Sequence, residues 1–207
     1  MHLLRSGWVG PLLAVGASGC VSVHSFVEDG HDKADFPELA ARDPPTPVHV
    51  VCEFKRNGEP HPEVDEAVCK EVRNVLRNTR MLMPAGPAAG ATLKVTVDDR
   101  TDPERGHMNG LVTGLTEGLV GVSTRDNYNF AYSLLERPQA KPHTGLYSHA
   151  MITVAGRTPT PSRGQPHPTG EAFSVIVRQS ALQFLADVQS TGEGVMYVRD
   201  GAPSPLK

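Results

Sequence analysis

The sequence predicts an α+β domain: an antiparallel or mixed sheet of four to five strands with two helices packed on one face. Three observations carry this. Several short runs alternate apolar and polar residues with the period of a half-buried strand. Two longer runs repeat their apolar residues at helical spacing. Their order along the chain is strand, helix, strand, glycine-rich segment, strand, strand, helix, a layout that segregates helices to one side of a sheet.

Val48, Val50, Cys52 and Phe54 alternate with His49, Val51 and Glu53, which reads as the first strand. Arg56-Asn57-Gly58-Glu59-Pro60 is a turn signal. Pro62 suits a first helical turn, and Glu63, Asp65 and Glu66 suit the positive end of the helix dipole. Val64, Val68, Val72, Val75 and Leu76 then recur at helical spacing, and Arg77 and Arg80 crowd the C-terminal end. Met83 to Ala91 reads as a loop. Thr92 to Asp98 is the second strand, with Leu93, Val95 and Val97 on one face.

Gly110, Gly114, Gly118 and Gly121 would form one bare stripe on a helix, beside Leu111, Leu115 and Leu119. Small residues at this spacing let another backbone approach closely. Three readings stay open: a short helix packed on the sheet, an oligomer contact, or a segment that inserts on assembly. As a helix the stretch rises about 18 Å, too short to cross a hydrocarbon core of about 30 Å.

Tyr128, Phe130, Tyr132 and Leu134 form a good strand pattern. Leu146 to Ala155 reads as its partner, with Leu146, Ala150, Ile152 and Val154 on one face. Thr158 to Thr169 is a proline-rich crossing. Glu171 to Val188 is the strongest helix, with Phe173, Ile176, Val177, Ala181, Phe184, Leu185 and Val188 as its stripe. Val195 to Val198 reads as an edge strand.

Composition bounds the function. The chain has 207 residues, 39% hydrophobic and 21% charged, which suits one globular domain plus extra segments. A net charge of −3 supplies no basic field for nucleic acid. Of the three cysteines, Cys52 sits with the buried set of its strand and Cys69 beside Val72 and Leu76. In an oxidising compartment they can join, closing a short loop worth roughly 3 kcal/mol; otherwise they are two buried thiols.

The N-terminus places the protein. Trp8 to Ala17 is an apolar run of about ten residues, the size of a signal-peptide core. Ala17-Ser18-Gly19-Cys20 follows and resembles the lipobox of bacterial lipoproteins. That resemblance implies cleavage before Cys20 by signal peptidase II, acylation of Cys20, and, with Val21 rather than aspartate next, the outer membrane. Several acyl chains give stable anchoring. The implied organisation is a signal peptide at 1–19 and a lipidated N-terminus with a Pro-rich tether at 20–47. A single domain follows at 48–200, carrying a Gly-rich segment at 106–124, and a disordered tail ends the chain at 201–207. The layout is loosely similar to small periplasmic assembly lipoproteins of the curli-secretion-channel-subunit and penicillin-binding-protein-activator types.

No G-x-S-x-G, Walker loop, H-E-x-x-H or C-x-x-C occurs, so no enzyme, cofactor or metal site is expected. His61, His107, His143, His149 and His167 are scattered and read as solvated. The acidic run Asp98, Asp99, Asp102 and Glu104 reads as a solvated strand end. The expectation is a non-enzymatic lipoprotein on the periplasmic face of the outer membrane, held by its lipid anchor. It would act as a scaffold for an envelope protein or for copies of itself. The alternative is a monomeric binding or immunity protein that captures a toxin or small ligand.

Overall fold

A computed structural model describes residues 23–28, 39–101, 122–155, 166–191 and 197–198. Four long strands make the centre of one sheet. They are β2 (Thr46–Arg56), β5 (Ala91–Thr101), β6 (Val122–Leu135) and β7 (His143–Ala155). Around them lie β1 (Val23–Val27), β3 (Glu59–Pro60), β4 (Leu82–Ala85), β8 (Pro166–His167) and β9 (Tyr197–Val198). The order is β3-β2-β5-β6-β7-β1-β8, with β4 also on β2 and β9 on β7. The sheet is therefore mixed, as one expected form had it. It is wider than expected, with nine strands among the described residues rather than four to five.

The extra width comes from short pieces. Val23–Val27 falls inside the segment read as a tether, yet it pairs antiparallel with β7 from Val23↔Ala155 to Val27↔Met151. The domain thus does not begin at 48. Val27 joins the core, and Leu39 packs against it from the same segment. Leu82–Ala85, which takes in the start of the segment read as loop from Met83, pairs parallel with the start of β2. Pro84 is tolerated there because an edge strand leaves one side of its backbone unpaired.

The helix α1 (Pro62–Thr79) connects β2 to β4 and β5, and β2 and β5 run parallel, which requires such a crossover. Pro62 opens α1, and Arg80 closes it in the left-handed conformation with its N–H donated to the Leu76 carbonyl. Before α1, Asn57 and Gly58 have φ of 52° and 86° between the paired Arg56 and Glu59. Two consecutive positive φ values make the turn that matches strand twist, and Asn-Gly is the sequence that adopts it.

The second helix, α2 (Thr169–Thr191), lies beside α1 on the same face. The register puts Val50, Leu93, Leu134 and His143 in one row, and Phe54, Val97, Phe130 and Tyr147 in another. These rows face the helices and bury most of the core. Val68, Val72, Val75 and Leu76 of α1 and Ile176, Val177, Phe184 and Leu185 of α2 close it.

The face of β7 differs from expectation. Tyr147 and Met151 point into the core, whereas Leu146 is 42% exposed on the other side of the sheet. Ala150 and Val154 share the side of Leu146 and are buried there together with Phe26 of β1.

Candidate functional site

The described residues carry their chemistry in three places: a bridge between β2 and α1, a polar group at one end of the sheet, and the outer sheet face.

Cys52 and Cys69 form a disulfide with a Cα–Cα distance of 5.5 Å. Strand alternation turns Cys52 toward α1, and helical spacing puts Cys69 between Val68 and Val72 on the buried stripe. The bridge closes a loop with a sequence separation of 17 residues.

The polar group sits where β5 ends and β6 begins. Asp99 pairs with Tyr128, and Tyr128 pairs with His149, so all three share the helix-facing side. Asp99 is 3% exposed, which corrects its reading as part of a solvated strand end. Its carboxylate takes an ion pair from Arg56 Nε at 3.3 Å, and its carbonyl accepts the Asn57 N–H at 2.8 Å. A buried carboxylate is tolerated because it is paired in this way. Asp98, one residue earlier, faces outward, pairs with Arg100 and accepts the Gly58 N–H.

Tyr128 packs its ring on Phe173 of α2 at 5.4 Å. Burial raises its phenol pKa, and the charges of Asp99 and Asp126 raise it further. His149 is 5% exposed and lies edge-on to Phe130, so it is not a solvated loop histidine either. The aromatic packing continues inward as Tyr132 stacks on Phe184 at 4.9 Å. Burial also raises the Tyr132 pKa, opposed in part by its bond to Ser180.

The outer face of β2, β5 and β6 is lined by Val51, Glu53, Thr92, Lys94, Thr96, Asn127 and Asn129, all partly or well exposed. Glu53 holds Lys55 at 3.1 Å and Lys94 at 3.5 Å. The Lys55 hydrogen bond, more than any other interaction, lowers the Glu53 pKa. Val51 and Leu146 add exposed apolar area to this side.

Of the residues singled out in the sequence, Cys52 and Cys69 are brought together. Cys20 and the glycine stretch, with Gly110, Gly114, Gly118, Gly121, Leu111, Leu115 and Leu119, lie outside the described residues. Among the described residues, no three His, Cys, Asp or Glu side chains are grouped as a metal ion requires. No helix among them is long and apolar enough to cross a membrane. Sequence reasoning missed Arg56 and Tyr128 as neighbours of Asp99, and Asp126 as a charge beside Tyr128. The signal was present in strand alternation, since Asp99 continues the inward set of Val95 and Val97.

No protein-family model matches the chain. No curated protein matches it. Among solved structures the chain is similar to a PelC dodecamer from Paraburkholderia phytofirmans. The identity is 15%, the match covers 83% of this chain and 98% of that one, and the TM-score is 0.35.

Proposed function

We propose that the chain is a non-enzymatic lipoprotein. Acylated Cys20 anchors it to the periplasmic face of the outer membrane, and its α+β domain serves as a scaffold for an envelope protein or for further copies of itself. The observation that carries the reading is the Cys52–Cys69 bridge in a domain preceded by Ala17-Ser18-Gly19-Cys20. Disulfides persist in oxidising compartments, so the bridge and the lipobox resemblance point to the same side of the inner membrane.

Two features support a scaffold over a catalyst. Several polar groups facing the helices are committed to structural partners: Tyr132 to Ser180, Tyr147 to Asp187, Arg56 to Asp99. The outer sheet face, by contrast, is broad and accessible, with exposed Val51 and Leu146 among polar side chains.

Two measurements test the reading. Mass spectrometry of the N-terminal peptide should show an acylated Cys20, and Cys20→Ser should remove the acyl mass and release the protein from membranes. Light scattering of the membrane-extracted wild type should give a mass above one chain, alone or with a co-extracted protein. A Cys20→Ser variant that fractionates like wild type would sink the anchor. A lone monomer would sink the scaffold.

A further inference from the structure

We propose that the membrane-facing surface of this protein is the end of the sheet where β1 begins, held against the lipid by a tether only three residues long. The inference rests on acylation of Cys20. Its structural part is the position of β1. Val23 opens that strand and pairs with Ala155, the last residue of β7; Ala155 pairs in turn with Val122, the first residue of β6. On β6, Asp126 pairs with Thr101, the last residue of β5. One end of the sheet is thus defined by Val23, Thr101, Val122 and Ala155.

Cys20 and Val23 are three residues apart in the sequence. Even fully extended, three residues reach about 10 Å. The lipid-bearing residue therefore stays within that distance of the Val23 backbone whatever its conformation. A spacer running to Pro47, as the sequence suggested, would have let the domain tumble free of the bilayer. Val23 itself is 48% exposed, so an apolar side chain stands at the lipid-proximal end of the strand.

The opposite end is far away. β7 has 13 residues, and a strand of that length spans about 40 Å. Its start at His143 lies with Leu135, Ala91 and Thr46 at the other end of the sheet. Arg77, Arg80, Arg137 and Lys141 belong to the helix end and loops there, and all four are exposed. The basic end is held away from the anchoring lipid, so its cations are not the primary membrane contact. The proximal end is chosen by chain length rather than by charge.

The test uses the full acylated protein in phosphatidylcholine vesicles doped with a headgroup-nitroxide lipid. A fluorescent amino acid is placed at Ser123, exposed near the proximal end, or at Lys141, exposed at the distal end. Quenching at 123 should exceed quenching at 141 several-fold. A Gly/Ser insertion of about 20 residues between Ser22 and Val23 reaches roughly 25 Å and should remove the difference. Equal or reversed quenching, with acylation verified by mass on the same sample, overturns the orientation and leaves the anchor standing. A difference that survives the insertion overturns the short tether as its cause. Absence of the acyl mass overturns the anchor reading itself, and the orientation falls with it.

Discussion

The ring of Tyr147 folds back over Gly145, two residues earlier on β7. A Cβ added to Gly145 would stand 2.5 Å from the Tyr147 hydroxyl oxygen and 2.8 Å from Cε2. The ring cannot easily swing away. Its hydroxyl donates to Asp187 Oδ2 on α2 at 2.6 Å, and its centroid lies 5.8 Å from that of Tyr132, the cross-strand partner of Gly145. Gly145 is the gap into which this aromatic layer folds.

Gly145→Ala should therefore destabilise the domain by about 1–3 kcal/mol, the usual penalty for overfilling a packed site. Gly86→Ala and Gly90→Ala provide the control. Each has open space where the Cβ would go, so each should be neutral or slightly stabilising, by at most about 1 kcal/mol. Urea unfolding of the three variants measures this. A Gly145→Ala protein as stable as wild type would show that the Tyr147 ring is free to move.

The Cys52–Cys69 bridge constrains the unfolded chain across 17 residues and should contribute about 3 kcal/mol. Native, non-reduced protein should leave positions 52 and 69 unalkylated. Reduction, or the paired change Cys52→Ser with Cys69→Ser, should lower the urea midpoint accordingly. Two thiols that alkylate freely in the native protein would exclude the bridge.

Much of this architecture was legible in the sequence. The alternation of Val48 to Phe54, of Leu93 to Val97 and of Tyr128 to Leu134 marks strands because each has one apolar and one polar set. β7 does not: both of its sets hold large apolar residues, Leu146, Ile152 and Val154 in one, Tyr147 and Met151 in the other. Period alone cannot choose between two such sets; the pairing with β6 does. β1 was hidden for a different reason. It is five residues long, and its partner is remote, as the hydrogen bond between Ser25 Oγ and Thr153 Oγ1 across 128 positions shows. The inward side of Asp99 was legible from its alternation with Val95 and Val97, but its partner was not: Arg56, 43 positions earlier, arrives beside it through the β2–β5 register.

Tyr132 and Ser180 make a buried hydroxyl pair at 2.7 Å, and Ser180 Oγ also donates to the Val177 carbonyl at 3.0 Å. With its one proton given to Val177, Ser180 accepts from Tyr132. The two single variants should then differ. Ser180→Ala strands the Tyr132 hydroxyl in the core and should destabilise by about 1–3 kcal/mol. Tyr132→Phe removes the donor, leaves Ser180 bonded to Val177, and should cost only about 0.5–1.5 kcal/mol. The double variant should be no worse than Ser180→Ala alone, because it leaves nothing stranded. Equal losses for the two singles, with full additivity, would rule out the assigned donor direction.

Alkaline pH provides the last prediction. The phenols of Tyr128 and Tyr132 are both raised above the ordinary tyrosine value, chiefly by burial. In the unfolded chain each ionises near pH 10. An acid whose folded pKa is raised favours folding only while both states keep the proton. The contribution is therefore fully present below about pH 10 and declines as pH rises from there toward the folded pKa, because the unfolded chain sheds protons that the folded one retains. The protein should thus lose stability progressively above about pH 10. Its tyrosine absorbance should show the signature. Of the four tyrosines, Tyr128 and Tyr132 should ionise only together with unfolding, as a cooperative step in the phenolate band that coincides with loss of far-UV circular dichroism. Tyr132→Phe should shrink that step and shift the alkaline transition upward, even though it lowers stability at neutral pH by losing the Ser180 bond. If all four tyrosines titrated smoothly near pH 10 with the circular dichroism unchanged, the aromatic layer under α2 would be open to solvent and the packing of Tyr132 on Phe184 would be wrong.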